Sequence, residues 1–279
     1  MNGHFVKMQG TGNDFILIDN RRGIWPLDAL HLRRWCDRRL GVGADQLLVL
    51  EETRRPDADF RYRIFNADGG EVEQCGNGAR CMTRWVLERI FPGECVRFET
   101  MRAVIRGSIG KDGLVSVEMG MPILEADDLP FRTDGLSYCG VAWRGFGLSG
   151  TDELCVLAVG NPHAVRFGPM PEDEVFRRTG ERLQDHPAFP EGINFECVCP
   201  RSDSEADFRV WERGVGETPA CGSGACAAAV AGMLSGRFGR TVTFHTRGGI
   251  LRVRRPDPDG PVFLEGPAEY VFEGDLPLD

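Results

Sequence analysis

Two stretches of this chain read alike, 146 positions apart, and no other feature constrains the fold as much. Tyr62-Arg63-Ile64-Phe65-Asn66 and Phe208-Arg209-Val210-Trp211-Glu212 both run aromatic, Arg, β-branched, aromatic, polar. Gly70-Glu71 and Gly216-Glu217 follow, then Cys75-Gly76-Asn77-Gly78-Ala79 and Cys221-Gly222-Ser223-Gly224-Ala225. The match continues through Val96-Arg97-Phe98-Glu99-Thr100 and Val242-Thr243-Phe244-His245-Thr246. Upstream the offset is 148: Gly12-Asn13 pairs with Gly160-Asn161, and Gln46 with Asn194. One such match arises easily by chance, but an ordered series of them points to a duplicated domain. The join is expected between Pro122 and Thr151, where the chain is rich in Gly, Asp and Pro.

Each half shows the same coarse plan. A strand (Asp14 to Ile18, or Ala164 to Phe167) follows a Gly-Asn turn. A second strand alternates with period two (Phe60 to Phe65, or Phe208 to Trp211). A glycine-rich loop then opens a helix at the cysteine, and short strands follow. Strands gathered around a single helix predict an α+β fold rather than alternating βαβ units. The helix after Cys221 has no polar face, so burial on all sides is expected. The helix after Cys75 carries Arg80, Arg84, Glu88 and Arg89, which predicts one solvent-facing side.

A formal charge of −9 disfavours a broad nucleic-acid surface. Lys7 and Lys111 are the only lysines among 33 cationic side chains, so Schiff-base chemistry has few candidates. The N-terminus lacks a basic stretch followed by an apolar run, and Ala225 to Leu234 is too short to span a bilayer. A soluble cytoplasmic protein with no membrane association is therefore expected. None of the ten cysteines forms a C-x-x-C pair or neighbours a matching His-x-x-x-His, which argues against structural zinc. Most of them read as small buried hydrophobes.

Cys75 and Cys221 need another explanation. At or before a first helical turn, they lie beside backbone N–H groups that have no intrahelical partner. With the helix dipole, these make an anion site that also favours a thiolate. One such loop can hold a substrate carboxylate and set a sulfur beside its α-carbon. Two loops facing each other about a pseudo-two-fold axis would place a thiolate and a thiol on opposite faces of one carbon. That is two-base general acid–base catalysis, and it requires neither metal nor cofactor. Other readings stand beside it. Asn13 and Asn161 also suit left-handed turns, His163 a structural role, and Glu212-Arg213 a surface ion pair. Gly145 to Gly150 fits G-x-G-x-x-G but precedes a strand, so it is a weak dinucleotide motif. No function is assigned to residues 136–150.

These segments resemble the pyridoxal-phosphate-independent diaminopimelate epimerase family. The resemblance rests on Gly12-Asn13-Asp14-Phe15, Gly41-Val42-Gly43-Ala44-Asp45-Gln46, Phe65-Asn66-Ala67-Asp68-Gly69 and Cys75 to Cys81. It also rests on Gly160-Asn161-Pro162-His163, Glu212 to Thr218 and Ala220 to Ala225. It implies two pseudo-symmetric domains, each a curved sheet wrapped around a central helix, with the active site in the cleft between them. In that family the C-terminal segment returns to the first domain, so the resemblance implies domains of 1–122 with about 268–279, and 123–267. The resemblance implies cofactor-independent interconversion of LL- and meso-2,6-diaminopimelate in lysine and peptidoglycan precursor synthesis, with Cys75 and Cys221 as the acid–base pair. Asn13, Gln46, Asn66, Asn161, Asn194, Glu212 and Arg213 match its substrate-contacting positions. Gly76, Asn77, Gly222 and Ser223 match its carboxylate-holding loops, and His163 and Glu212 match positions that tune the thiols. A homodimer is a further expectation. Ser223 stands where the family commonly has threonine, which keeps the hydroxyl and the amide.

The residues themselves support a substrate with two amino-acid ends. Arg213 can grip a distal carboxylate as a fork, while Asn66, Asn194 and Glu212 can accept from a distal ammonium. The alternatives are a two-thiol racemase for a substrate without that distal end, a non-catalytic amino-acid-binding protein, and a thiol redox protein.

Overall fold

A computed structural model describes residues 2–72, 75–148 and 153–278. The chain forms two compact units, Met1–Glu118 with Glu265–Asp279, and Met119–Leu264.

The first unit runs β1 (Asn2–Gly10), β2 (Asn13–Asp19), α1 (Ala29–Cys36), β3 (Gln46–Glu51), β4 (Phe60–Asn66), β5 (Glu71–Val72), α2 (Gly76–Arg89), β6 (Cys95–Glu99), β7 (Val104–Ile109) and β8 (Val115–Glu118). The second contains β9 (Ser137–Tyr138), β10 (Trp143–Arg144), β11 (Glu153–Val159), β12 (Asn161–Phe167), α3 (Asp173–Gln184), β13 (Asn194–Pro200), β14 (Glu205–Glu212), β15 (Gly216–Thr218), α4 (Gly222–Leu234), β16 (Thr241–Thr246), β17 (Gly249–Arg254) and the first half of β18 (Phe263–Gly266). The chain ends in β19 (Glu269–Pro277), antiparallel to β1.

The duplication is visible in strand register. β2 and β3 are parallel with Phe15 opposite Gln46, and β12 and β13 are parallel with His163 opposite Asn194. β3–β4 pairs Leu47 with Phe65, and β13–β14 pairs Phe195 with Trp211. β4–β6 pairs Phe60 with Phe98, and β14–β16 pairs Ala206 with Phe244. Every pair in the second unit stands at the sequence offsets of the repeat. A one-residue slip would turn each strand's buried face outward, so such agreement reflects one fold used twice. The fold is α+β. In each unit the strands surround one helix: α2 packs on β1, β2, β3 and β6 to β8, and α4 on β11 to β13, β16 and β17.

Helix α4 is buried from Gly224 to Gly232, as its apolar sequence predicts, and only Leu234 at its end is exposed. Gly232 lets Phe238 lie against the helix, since a Cβ there would sit 2.0 Å from the Phe238 ring. Helix α2 departs from expectation. Glu88 and Arg89 face solvent, but Arg80 is completely buried. Its guanidinium donates to the Pro267 carbonyl at 3.2 Å and to Thr11 Oγ1 at 3.2 Å. The returning C-terminal segment covers that face of α2 and supplies a carbonyl acceptor.

Each unit also holds a second helix that the coarse plan omits. Asp28 caps α1, accepting from the Leu30 and His31 amides, and the helix buries Leu32, Trp35 and Cys36. α3 buries Phe176, Gly180 and Leu183 at helical spacing and turns Glu174, Arg177, Arg178 and Glu181 outward. No helix among the described residues is long and apolar enough to cross a membrane. The glycine motif that begins at Gly145 follows β10, and the next element after it among the described residues is the strand β11. Its Phe146 is buried with Phe131 and Phe189, while Ser149 and Gly150 lie outside the described residues.

Candidate active site

Both cysteines occupy the N-cap position. Cys75 caps α2 with extended backbone, and its sulfur accepts from the Gly78 amide at 3.4 Å. Cys221 caps α4 with nearly the same φ and ψ, and its sulfur lies 3.5 Å from Ser223 Oγ. Neither helix has an acidic residue in its first turn, so nothing in that turn offsets the positive end of the dipole. Gly76, Asn77, Gly222 and Ser223 therefore present first-turn amides where an anion is favoured.

The third residue of each helix is glycine because the sheet leaves no room for a side chain. A Cβ on Gly78 would meet Tyr62 Oη at 2.7 Å and Leu48 at 3.1 Å. A Cβ on Gly224 would meet Glu196 Oε1 at 2.7 Å and Phe208 at 3.3 Å. Alanine usually stabilises a helix relative to glycine by about 0.5–1 kcal/mol. Here the order should reverse: Gly78→Ala and Gly224→Ala should each cost about 1–3 kcal/mol through overpacking. Urea midpoints check this, and a stabilised variant would refute the close approach.

In the first unit, Asn13 begins β2, and the Cys75 thiol points to its Oδ1 at 3.8 Å. Its Nδ2 donates to Asp45 Oδ2 at 2.6 Å. Asp45 and Asp14 share the Arg38 guanidinium, and Lys7 donates to Asp14 at 2.8 Å. Partial burial would raise the Asp14 carboxyl, but the hydrogen bonds from Arg38 and Lys7 outweigh it and hold the carboxyl well below the usual range. Gln46 and Asn66 meet across the β3–β4 ladder, with Gln46 Nε2 donating to Asn66 Oδ1 at 2.9 Å. Asn77 has a buried side chain, which accepts from Thr11 Oγ1 at 3.3 Å.

In the second unit, Asn161 begins β12 and meets His163, with Oδ1 to Nε2 at 2.9 Å. Neither asparagine is a turn residue. The left-handed positions are Gly12 and Gly160, and Thr11 is the only non-glycine with positive φ among the described residues. Asn194 is buried and held at both ends of its amide: Nδ2 donates to the Pro162 carbonyl and Oδ1 accepts from the Arg213 amide, both at 2.9 Å. It therefore braces the start of the Arg213 loop. The Arg213 guanidinium is partly exposed and donates to the Glu191 carbonyl at 3.2 Å. Glu212 accepts from Thr218 Oγ1.

A helix N-terminus by itself lowers a cysteine pKa. At Cys221 burial wins and pushes the thiol well above its usual range, and the Glu212 carboxylate adds to the effect. The Ser223 hydroxyl and Gly224 amide oppose it but do not reverse it.

Two further groups shape the site without a pattern in the sequence that assigns them a role. Asp45 follows Gly43-Ala44 and orients Asn13. Glu196 is completely buried and touches both His163 and the space above Gly224. Its signal was a single charge inside the apolar strand Phe195 to Val198.

This fold recurs in solved structures of low sequence identity. A hydroxyproline epimerase from Agrobacterium vitis superposes with a TM-score of 0.66 at 14% identity, covering 99% of this chain and 91% of that one. A methylitaconate-delta-isomerase also gives 0.66 at 14% identity, covering 99% and 95%. The family model for diaminopimelate epimerase matches residues 5–125 and 155–271. The diaminopimelate epimerase of Azotobacter vinelandii is 44% identical over 278 residues, 98% of this chain and 99% of its own length. That of Aromatoleum aromaticum is 43% identical over 281 residues, covering 100% of both. The chain belongs to the diaminopimelate epimerase family.

Proposed function

We propose that the chain interconverts LL- and meso-2,6-diaminopimelate by proton transfer at one α-carbon, with Cys75 and Cys221 as the two bases. The observation that carries this reading is their equivalence: two cysteines cap two helices at matching positions of a duplicated fold, in a chain of this family. The first-turn amides suit the α-carboxylate and the negative charge that develops when the α-proton leaves. Asn13, Gln46, Asn66, Asn161, Asn194, Glu212 and Arg213 are the substrate-contacting set, with His163 and Glu212 acting on the charge state of the site. Burial and the Glu212 carboxylate favour Cys221 as the member that carries the proton in the resting protein. One sulfur, as thiolate, removes the α-proton while the other, as thiol, delivers a proton to the opposite face, and no cofactor is used. The two units act as the two epimerase domains of a cytoplasmic enzyme, with a homodimer as the proposed assembly, in lysine and peptidoglycan precursor synthesis.

Incubating LL-diaminopimelate with reduced protein in D₂O should place deuterium at the α-carbon. Absence of exchange would overturn the reading. Arg213→Ala should lower kcat/KM for this substrate by about 10–100-fold, the worth of a charge-assisted hydrogen bond. An unchanged value would remove the distal clamp and favour a substrate without a second amino-acid end.

A further inference from the structure

Asn13 and Asn161 are equivalent residues held by different means. Asp45 takes the NH₂ group of Asn13 at 2.6 Å, leaving its oxygen towards Cys75. His163 Nε2 meets the oxygen of Asn161 at 2.9 Å, leaving its NH₂ group to donate. The positions in the first unit equivalent to His163 and Glu196 are Phe15 and Leu48, both fully buried and apolar. The two asparagines are thus wired with opposite polarity, and only the second unit uses a histidine and a glutamate to do it.

The proton count decides the wiring. His163 Nδ1 lies 2.6 Å from Glu196 Oε1, and both side chains are fully buried. With one proton between them the pair is a buried anion. Nε2 is then bare, and the amide of Asn161 must turn its NH₂ group inward. With two protons the pair is neutral and Nε2 carries hydrogen. A buried net charge is costly, and more so when a carboxylate oxygen lacks a partner. Glu196 Oε2 has no hydrogen-bond partner among the described residues, and burial raises the Glu196 carboxyl; the contact with His163 opposes this without reversing it, and the Glu212 carboxylate adds to the rise. The two-proton state therefore prevails and agrees with the observed Nε2–Asn161 contact.

We infer that Glu196 is a positioning residue: with His163 it forms a neutral buried dyad that turns the Asn161 amide so that its N–H donors face a carboxylate of the substrate. This rests on the epimerase reading above. The carboxylic acid of Glu196 supplies a proton to Nδ1, Nε2–H donates to Asn161 Oδ1, and the Asn161 NH₂ group remains for the ligand.

Glutamine reproduces the neutral acid at this position and leucine does not. Glu196→Gln should keep KM for LL-diaminopimelate within about threefold of wild type, whereas Glu196→Leu should raise it about tenfold or more with a smaller change in kcat. Nitrogen-15 spectra of histidine-labelled protein, assigned with His163→Gln, should show a protonated Nε2 at neutral pH in the wild type and in Glu196→Gln. A bare Nε2 in the wild type would overturn the inference. So would Glu196→Gln impaired as strongly as Glu196→Leu, or a Glu196→Leu protein with unchanged KM. If Glu196→Leu does not fold, the wild-type and Glu196→Gln spectra still decide. The spectra need no turnover, so absence of α-proton exchange in the wild type would refute the proposed function while the dyad is still read.

Discussion

Cys221→Ser should lower kcat/KM for LL-diaminopimelate by about 10²–10⁴-fold, the usual worth of a positioned acid or base. Cys75→Ser should do the same. The hydroxyl nearly preserves the size of each side chain and, at Cys75, its N-cap bond to the Gly78 amide, so the loss should appear without a large change in thermal stability. A serine hydroxyl gives up its proton far less readily than a thiol, so the two-base cycle breaks at one carbon face. Deuterium incorporation from each stereoisomer is the readout. A loss below about tenfold in either variant would remove that residue from proton transfer. The proposed two-thiol scheme needs one thiol and one thiolate together, so kcat/KM of the wild type should be bell-shaped with pH, its limbs belonging to the coupled pair.

The second large effect is on stability under alkaline conditions. Burial pushes Cys36 and Cys155 up to about 11, Cys81 and Cys197 up to about 12, and Cys221 well above the usual range. Folded, these thiols stay protonated while the same groups in the unfolded chain ionise near an ordinary value of about 8.5. Their contribution to stability is therefore fully present below that value. It is lost as pH rises from there towards the folded values, by about 1.4 kcal/mol per pH unit for each thiol still protonated only in the fold. Buried Tyr62 is raised as well and acts in the same direction at higher pH. Urea midpoints under reducing conditions should fall steeply between about pH 8 and pH 10. Cys197→Ala should flatten that dependence, and equal midpoints at both pH values would refute the burial argument.

Much of the architecture is legible in the chain because it follows from local pattern. The repeat offsets reappear as strand registers, since side-chain alternation ties each residue to one face. The apolar stretch after Cys221 becomes a buried helix, since it has no polar face to turn to water. Where structure and local pattern part, the causes are physical. Arginine on a helix usually faces water, but Arg80 does not, because the returning segment at Pro267 covers it. α1 and α3 lie outside the repeated plan and are marked only by the Asp28 cap and the spacing of Phe176, Gly180 and Leu183.

The sequence by itself determined the duplication and the placement of two cysteines at equivalent loops, because identity and spacing are properties of the chain. Tertiary structure alone decided the charge state and polarity around them. The dipole of α4 favours a Cys221 thiolate, yet burial and Glu212 hold the proton on the sulfur. Asn13 and Asn161 read alike in sequence, yet Asp45 holds one by its nitrogen and His163 the other by its oxygen. Desolvation and hydrogen-bond partnership depend on what the fold brings alongside, and no local pattern encodes them.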